Sequence, residues 1–233
     1  MDKSEEIVEK LLKQMGFKSV IYEPDGNIPP DFLADHRVAV EVRRLNQNYE
    51  SVNGMRGLEE TAIPLWQKLE KLCNSFGRSE SESWFLCFHF SRPLKPWKSL
   101  ESDLRKALAD FMAQTTRTNG NIYRKDGFEI DLIRASNPAE YYFCMGASSD
   151  DQAGGPIVTE MLKNVAYCAE EKRYKSAKFR SKYPEWWLIL TDHIALGLDH
   201  QNQQQFLAHV KRPDGWDKIV IVSPKDHNHW FSF

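Results

Sequence analysis

The chain is expected to fold as an α/β protein, a mixed β-sheet flanked by helices. Three observations predict this. Helical-period and short extended segments alternate along the whole length; Arg37 to Leu45 is a β-branched run of strict alternation; and Trp186 to Leu190 and Lys218 to Val222 are compact apolar runs of strand length. No repeat, low-complexity stretch or linker interrupts the 233 residues, so one domain over 1–233 is expected.

Taken in order, Ile7, Val8, Leu11, Leu12 and Met15 recur at helical spacing from Ser4 to Met15, and Gly16 ends the run. Ser19 to Tyr22 reads as a short strand. Pro24-Asp25-Gly26-Asn27 and Pro29-Pro30 are turn chemistry ahead of a second extended piece, Asp31 to Ala34. In the strand Arg37 to Leu45, Val38, Val40 and Val42 take one face, and Ala39, Glu41, Arg43 and Leu45 the other. Leu58 to Phe76 is helical in pattern, Trp84 to Phe90 a strand, and Ser99 to Gln114 an amphipathic helix. Phe128 to Arg134 and Tyr141 to Met145 look like two further strands. Gly154-Gly155-Pro156 opens a long helix from about Ile157 to Lys182, and after Trp186 to Leu190 come a short helix, Gln201 to Val210, and the strand Lys218 to Val222.

Composition narrows the function classes. At 12% aromatic and 41% hydrophobic, the chain can bury a sizeable core, which excludes a disordered tail protein. The charged start Met1-Asp2-Lys3-Ser4-Glu5-Glu6 has no apolar core of a secretory signal, and no window approaches the ~18 apolar residues of a membrane span. Cys73, Cys87, Cys144 and Cys168 lie far apart in apolar contexts, without the short spacings of a zinc site. A cytoplasmic protein with reduced thiols and no membrane partner is expected.

The segment that carries chemistry runs from Pro30 to Arg43. If its two extended pieces form a hairpin, Asp31 begins one strand and Glu41 lies along its neighbour, so both carboxylates can serve one site. Glu41 and Arg43 share a face by strand alternation, and the Val42 carbonyl between them is a further oxygen donor. Two carboxylates, a carbonyl and waters suit Mg²⁺, or Mn²⁺, as phosphodiester hydrolysis uses it.

With Pro30-Asp31, Glu41-Val42-Arg43 and the order helix, strand, strand, strand, helix, strand, the chain resembles the PD-(D/E)XK nuclease superfamily, the restriction-endonuclease-like fold. The resemblance implies an αβββαβ core within about 1–92, followed by additional C-terminal α/β elements. A second assignment gives the later helix and strand to 157–192 and makes residues between about 46 and 155 an insertion. It also implies a Mg²⁺-dependent deoxyribonuclease in which Asp31 and Glu41 bind metal together with the Val42 carbonyl. Arg43 would stand at the place of the family's lysine, and Glu5 would add an acidic group from the first helix. Arginine fits phosphate with a bidentate fork but is never a base, so Arg43 marks a departure from the family pattern. For Glu5 a competing role exists, since Asp2-x-x-Glu5 also reads as a capping box. Nucleases that cut both strands are commonly paired, which makes a homodimer an open expectation.

Lys172 to Lys182 contains six basic residues and no acid, leaving −8 on the remainder of a chain whose net charge is −2. Lys172, Lys175 and Lys178 are therefore expected to contact a nucleic-acid backbone, DNA by preference. Lys172 and Lys175 fall on the apolar stripe Met161, Val165, Cys168 and Phe179, where an inward lysine needs a phosphate or carboxylate partner. His227-Asn228-His229 and Asp192-His193 are read as unrelated to a site. The competing expectation is an inactive nuclease-fold module that binds nucleic acid or a protein partner.

Overall fold

In the computed structural model, which describes residues 1–52 and 54–233, the chain starts with a helix whose first turn is closed by side chains. Asp2 accepts the N–H groups of Ser4 at 2.7 Å and Glu5 at 2.9 Å, and Glu5 accepts the Asp2 N–H at 2.6 Å. This reciprocal box satisfies donors that a helix start leaves orphaned. The order is α1 (Lys3–Gln14), β1 (Val20–Tyr22), β2 (Phe32–Ala34), β3 (Val38–Leu45), β4 (Asn48–Ser51), β5 (Gly54–Gly57), α2 (Glu59–Asn74), β6 (Trp84–Phe90) and α3 (Trp97–Met112). There follow β7 (Gly120–Lys125), β8 (Phe128–Arg134), β9 (Phe143–Asp150), α4 (Ile157–Ser176), a 3₁₀ helix (Ala177–Lys182), β10 (Glu185–Asp192), α5 (His200–His209), β11 (Lys218–Val222) and β12 (Trp230–Ser232).

The architecture is mixed α/β, but where the sequence suggests one domain the chain gathers into two compact units, Met1–Asn48 with Gly154–Phe233, and Tyr49–Ala153. The helix α2 and strand β6 belong to the second unit. In the first unit's sheet the neighbour of β3 beyond β2 is β10, and α4 packs on β3.

The first unit is built on a six-stranded sheet of order β1-β2-β3-β10-β11-β12. β2 runs antiparallel to β1 and β3, and β10 runs parallel to both β3 and β11, with Leu188 opposite Glu41. Because successive strand residues point to opposite faces, β3 serves two cores. Val38, Val40 and Val42 pack with Val8, Leu11 and Leu12 of α1. Ala39 and Leu45 pack with Met161, Val165 and Cys168 of α4 and with Phe206 of α5. Both faces are covered, as parallel strands require.

In the second unit α2 and α3 cover one face of a sheet of order β7-β8-β6-β9, where Leu69, Leu72, Trp84, Leu86, Leu104 and Leu132 are buried. Its two chain connections to the first unit are adjacent: the Gln47 side chain donates to the Gly154 carbonyl at 3.3 Å and accepts the Gly154 N–H at 3.1 Å. Among the described residues, no helix is long and apolar enough to cross a membrane.

Candidate functional site

The site grows out of the end of the β2–β3 hairpin. The hairpin register pairs Phe32 with Val40, so Asp31 falls just beyond the last ladder pair, beside Glu41 and Val42. There the Val42 N–H has no ladder partner on β2, and Asp31 Oδ2 accepts it at 2.6 Å. A strand residue's N–H and C=O point to the same neighbour, so the Val42 carbonyl faces the Asp31 side as well.

Glu41 projects from the opposite strand face to Val40, toward α4. It is 1% exposed. On α4 the core positions Met161, Val165 and Cys168 continue one turn further to Lys172, which helical periodicity places on the same stripe. Its Nζ lies 2.7 Å from Glu41 Oε2 and 3.1 Å from Asp31 Oδ2. Among the described residues, Glu41 Oε1 is buried without a hydrogen-bond partner. The three groups open onto a cleft of ≈ 320 Å³, rimmed by the β1–β2 loop through Glu23 and Gly26 to Pro29, and by Lys175. The loop is pinned from behind, where Asp25 accepts from Lys182 and from the Tyr183 hydroxyl.

Two carboxylates sharing one ammonium leave the cluster with one negative charge in excess, in surroundings that penalise charge. Burial pushes the Glu41 carboxyl above its ordinary range; Lys172 pulls it back and the Asp31 charge raises it further. Burial works against the Lys172 charge too, but Glu41 and Asp31 outweigh it and hold the ammonium above the ordinary lysine value. Lys172 therefore stays cationic while the carboxylate pair keeps unused acceptor capacity.

That capacity is the test of metal fit. Among the described residues no group of three His, Cys, Asp or Glu side chains converges. The donor set is thus two carboxylates and a strand carbonyl, and Oε1 of Glu41 is left over as a buried acceptor. Mg²⁺ and Mn²⁺ fit it, because hard cations of this size keep several waters and take one or two protein carboxylates.

Other expected residues are placed differently. Glu5 is engaged in the α1 capping box and accepts from the Tyr22 hydroxyl at 3.2 Å, on a helix that packs against the Val40 face of β3. Its carboxylate is thus taken up by the capping box and the Tyr22 hydroxyl, on the α1 side of β3. Arg43 shares the Glu41 face as alternation requires, yet its Nη2 lies 3.0 Å from Glu171 Oε2, next to Lys172 in sequence. Glu171 also takes Lys175 at 2.6 Å, so one carboxylate steadies both cations. Lys175 and Lys178 are exposed, so Lys175 does not lie inward on the apolar stripe as its spacing suggested. Lys172 is not: only 15% of its side chain is exposed, so it answers the need of an inward lysine with carboxylates. The sequence signal for this was the lysine on an apolar helical stripe, but nothing in sequence named its partners. Asp192 accepts the N–H groups of Ile194, Ala195 and Gly197 at 2.9–3.0 Å, a turn-capping role.

Comparison of the chain with protein-family models, with curated proteins and with solved structures finds no match.

Proposed function

We propose that this chain is a divalent-metal-dependent nuclease of the restriction-endonuclease-like kind, hydrolysing phosphodiester bonds of DNA. The observation that carries the reading is the convergence of Asp31, Glu41 and Lys172 at the mouth of a cleft, with one Glu41 oxygen buried and unpartnered. The succession α1, β1, β2, β3, α4, β10 supports it, since it is a helix, a three-strand meander, a second helix on the other face and a parallel fourth strand.

In this reading Asp31, Glu41 and the Val42 carbonyl hold Mg²⁺ or Mn²⁺. The metal, when bound, supplies an activated water and neutralises charge on the scissile phosphate. Asp31 orients the strand end by taking the Val42 N–H. Lys172 supplies, from α4, the lysine that β3 lacks, a cation to meet a phosphate oxygen in the cleft that it lines. Arg43 is steadied by Glu171 and acts as a phosphate-side cation, and Lys175 and Lys178 meet the backbone further out. Incubation of the protein with plasmid DNA and Mg²⁺ or Mn²⁺ should produce nicks, and Glu41→Ala should abolish them. Cleavage that persists in Glu41→Ala rules the site out.

A second reading has its own observation: Lys172 already neutralises part of the carboxylate pair, as it would in a fold kept for binding alone. That reading calls for salt-dependent DNA binding through Lys175 and Lys178 with no cleavage under either metal.

A further inference from the structure

We propose that Lys172 is a built-in cation lock, its ammonium competing with divalent metal for Asp31 and Glu41, so that the metal site opens only when Lys172 withdraws. This rests on the nuclease reading above and concerns how its site is controlled.

Lys172 Nζ bridges Oδ2 of Asp31 at 3.1 Å and Oε2 of Glu41 at 2.7 Å, the carboxylates that a metal would need. An ammonium and a divalent ion held by the same oxygens would sit within a few ångströms of each other, and the low polarity around a Glu41 that is 1% exposed strengthens their repulsion. They cannot both keep those contacts. The ammonium satisfies only part of the pair, because Glu41 Oε1 keeps no partner while Lys172 is in place. A divalent ion offers twice the charge and can reach that oxygen, so the exchange favours metal once its concentration suffices. Lys172 has somewhere to go: it lines the same open cleft as Lys175.

The test is calorimetric titration of Mn²⁺ into wild type, Lys172→Met and Lys172→Arg, with folding followed by circular dichroism. Lys172→Met, which removes the competing charge and keeps the stem, should bind Mn²⁺ about tenfold or more tightly than wild type. Lys172→Arg, which keeps a cation, should bind no more tightly than wild type. Folded Lys172→Met that binds Mn²⁺ no better than a metal-binding wild type overturns the lock and leaves the metal site standing. No Mn²⁺ binding by wild type or by Lys172→Met removes the metal site and the lock together. Should Lys172→Met fail to fold, amine labelling of wild type read by mass spectrometry decides. Modification of Lys172 should rise severalfold at Mn²⁺ concentrations that raise the melting temperature, and an unchanged rate overturns the proposal.

Discussion

Lys172 Nζ lies 2.7 Å from Glu41 Oε2 although 131 residues separate them in the chain, and a whole compact unit, Tyr49–Ala153, is inserted between. The pair joins the centre of β3 to the end of α4, so it is at once a packing contact of the first unit and the heart of its candidate site.

Breaking one side of such a pair leaves a buried charge uncompensated, at a cost of about 3 kcal/mol. Lys172→Ala should therefore lower unfolding free energy by about that amount in urea titrations, whereas Arg43→Ala, whose half-exposed pair with Glu171 is worth less, should cost roughly 1 kcal/mol or below. Cleavage should be lost in Lys172→Ala and only weakened in Arg43→Ala. The opposite ranking would return the lysine's role to Arg43.

Alkaline pH should release the same interaction. Lys172 is held above the ordinary lysine value of 10.5 in the folded chain, by carboxylates that outweigh its burial. A raised folded value means that its stabilisation is complete below 10.5 and is lost as pH climbs through the folded value. Melting temperatures recorded from neutral into strongly alkaline solution should fall more steeply for wild type than for Lys172→Met, which carries the same tyrosines and cysteines. Parallel curves would show that the ammonium contributes nothing.

Glu5 should prove a helix-capping residue. Asp2→Ala removes the oxygen that accepts from Ser4 and Glu5, which costs about 1 kcal/mol, and Glu5→Ala should cost less than that. Neither substitution should alter Mn²⁺ affinity, and a loss of metal binding in folded Glu5→Ala would place this carboxylate in the site after all.

Thiol chemistry should separate the four cysteines into pairs. Burial pushes Cys73 up to about 12 and Cys168 up to about 11, while Cys87 and Cys144 are half-buried. An aromatic disulfide reagent near neutral pH should titrate Cys87 and Cys144 in the native protein and reach Cys73 and Cys168 only on unfolding, because the thiolate is the reactive form.

The inserted unit should be removable. Gln47 and Gly154 are hydrogen-bonded at its two chain connections, and Asn164 accepts from both the backbone N–H and the side chain of Asn48 at 3.0 and 2.8 Å. Replacing 49–153 by a short Gly-Ser linker should leave a first unit that still melts cooperatively, because closing a short loop costs little entropy. A chain that unfolds on excision would show that the first unit depends on the second.

The features legible in the sequence follow from its periodicities. The 3.6 spacing of Val8, Leu11 and Leu12 and the period-two alternation of Val38 to Leu45 are local, and they correctly assigned the two faces of β3, with Glu41 and Arg43 together. Strands that lacked this signal went unread: β7 is an exposed edge with little apolar pattern, β12 has three residues, and β4 and β5 are short and polar. The expected 157–182 helix ends at Ser176 and tightens into a 3₁₀ turn, whose Arg180 stacks over Trp216 at 4.5 Å and donates to the Gly215 carbonyl; these are partners distant in sequence.

The sequence alone determined which residues could carry chemistry: the carboxylates of Asp31 and Glu41, the Val42 carbonyl between strand neighbours, and a lysine set oddly on an apolar helix stripe. Only the tertiary structure decided that α4 and β10, rather than α2 and β6, complete the sheet beside β3, and so which cation meets those carboxylates. The physical reason is that strand alternation and helical period are set by neighbours in the chain. The pairing of β3 with β10, and of Glu41 with Lys172, is set by burial, which acts between segments irrespective of the length of chain between them.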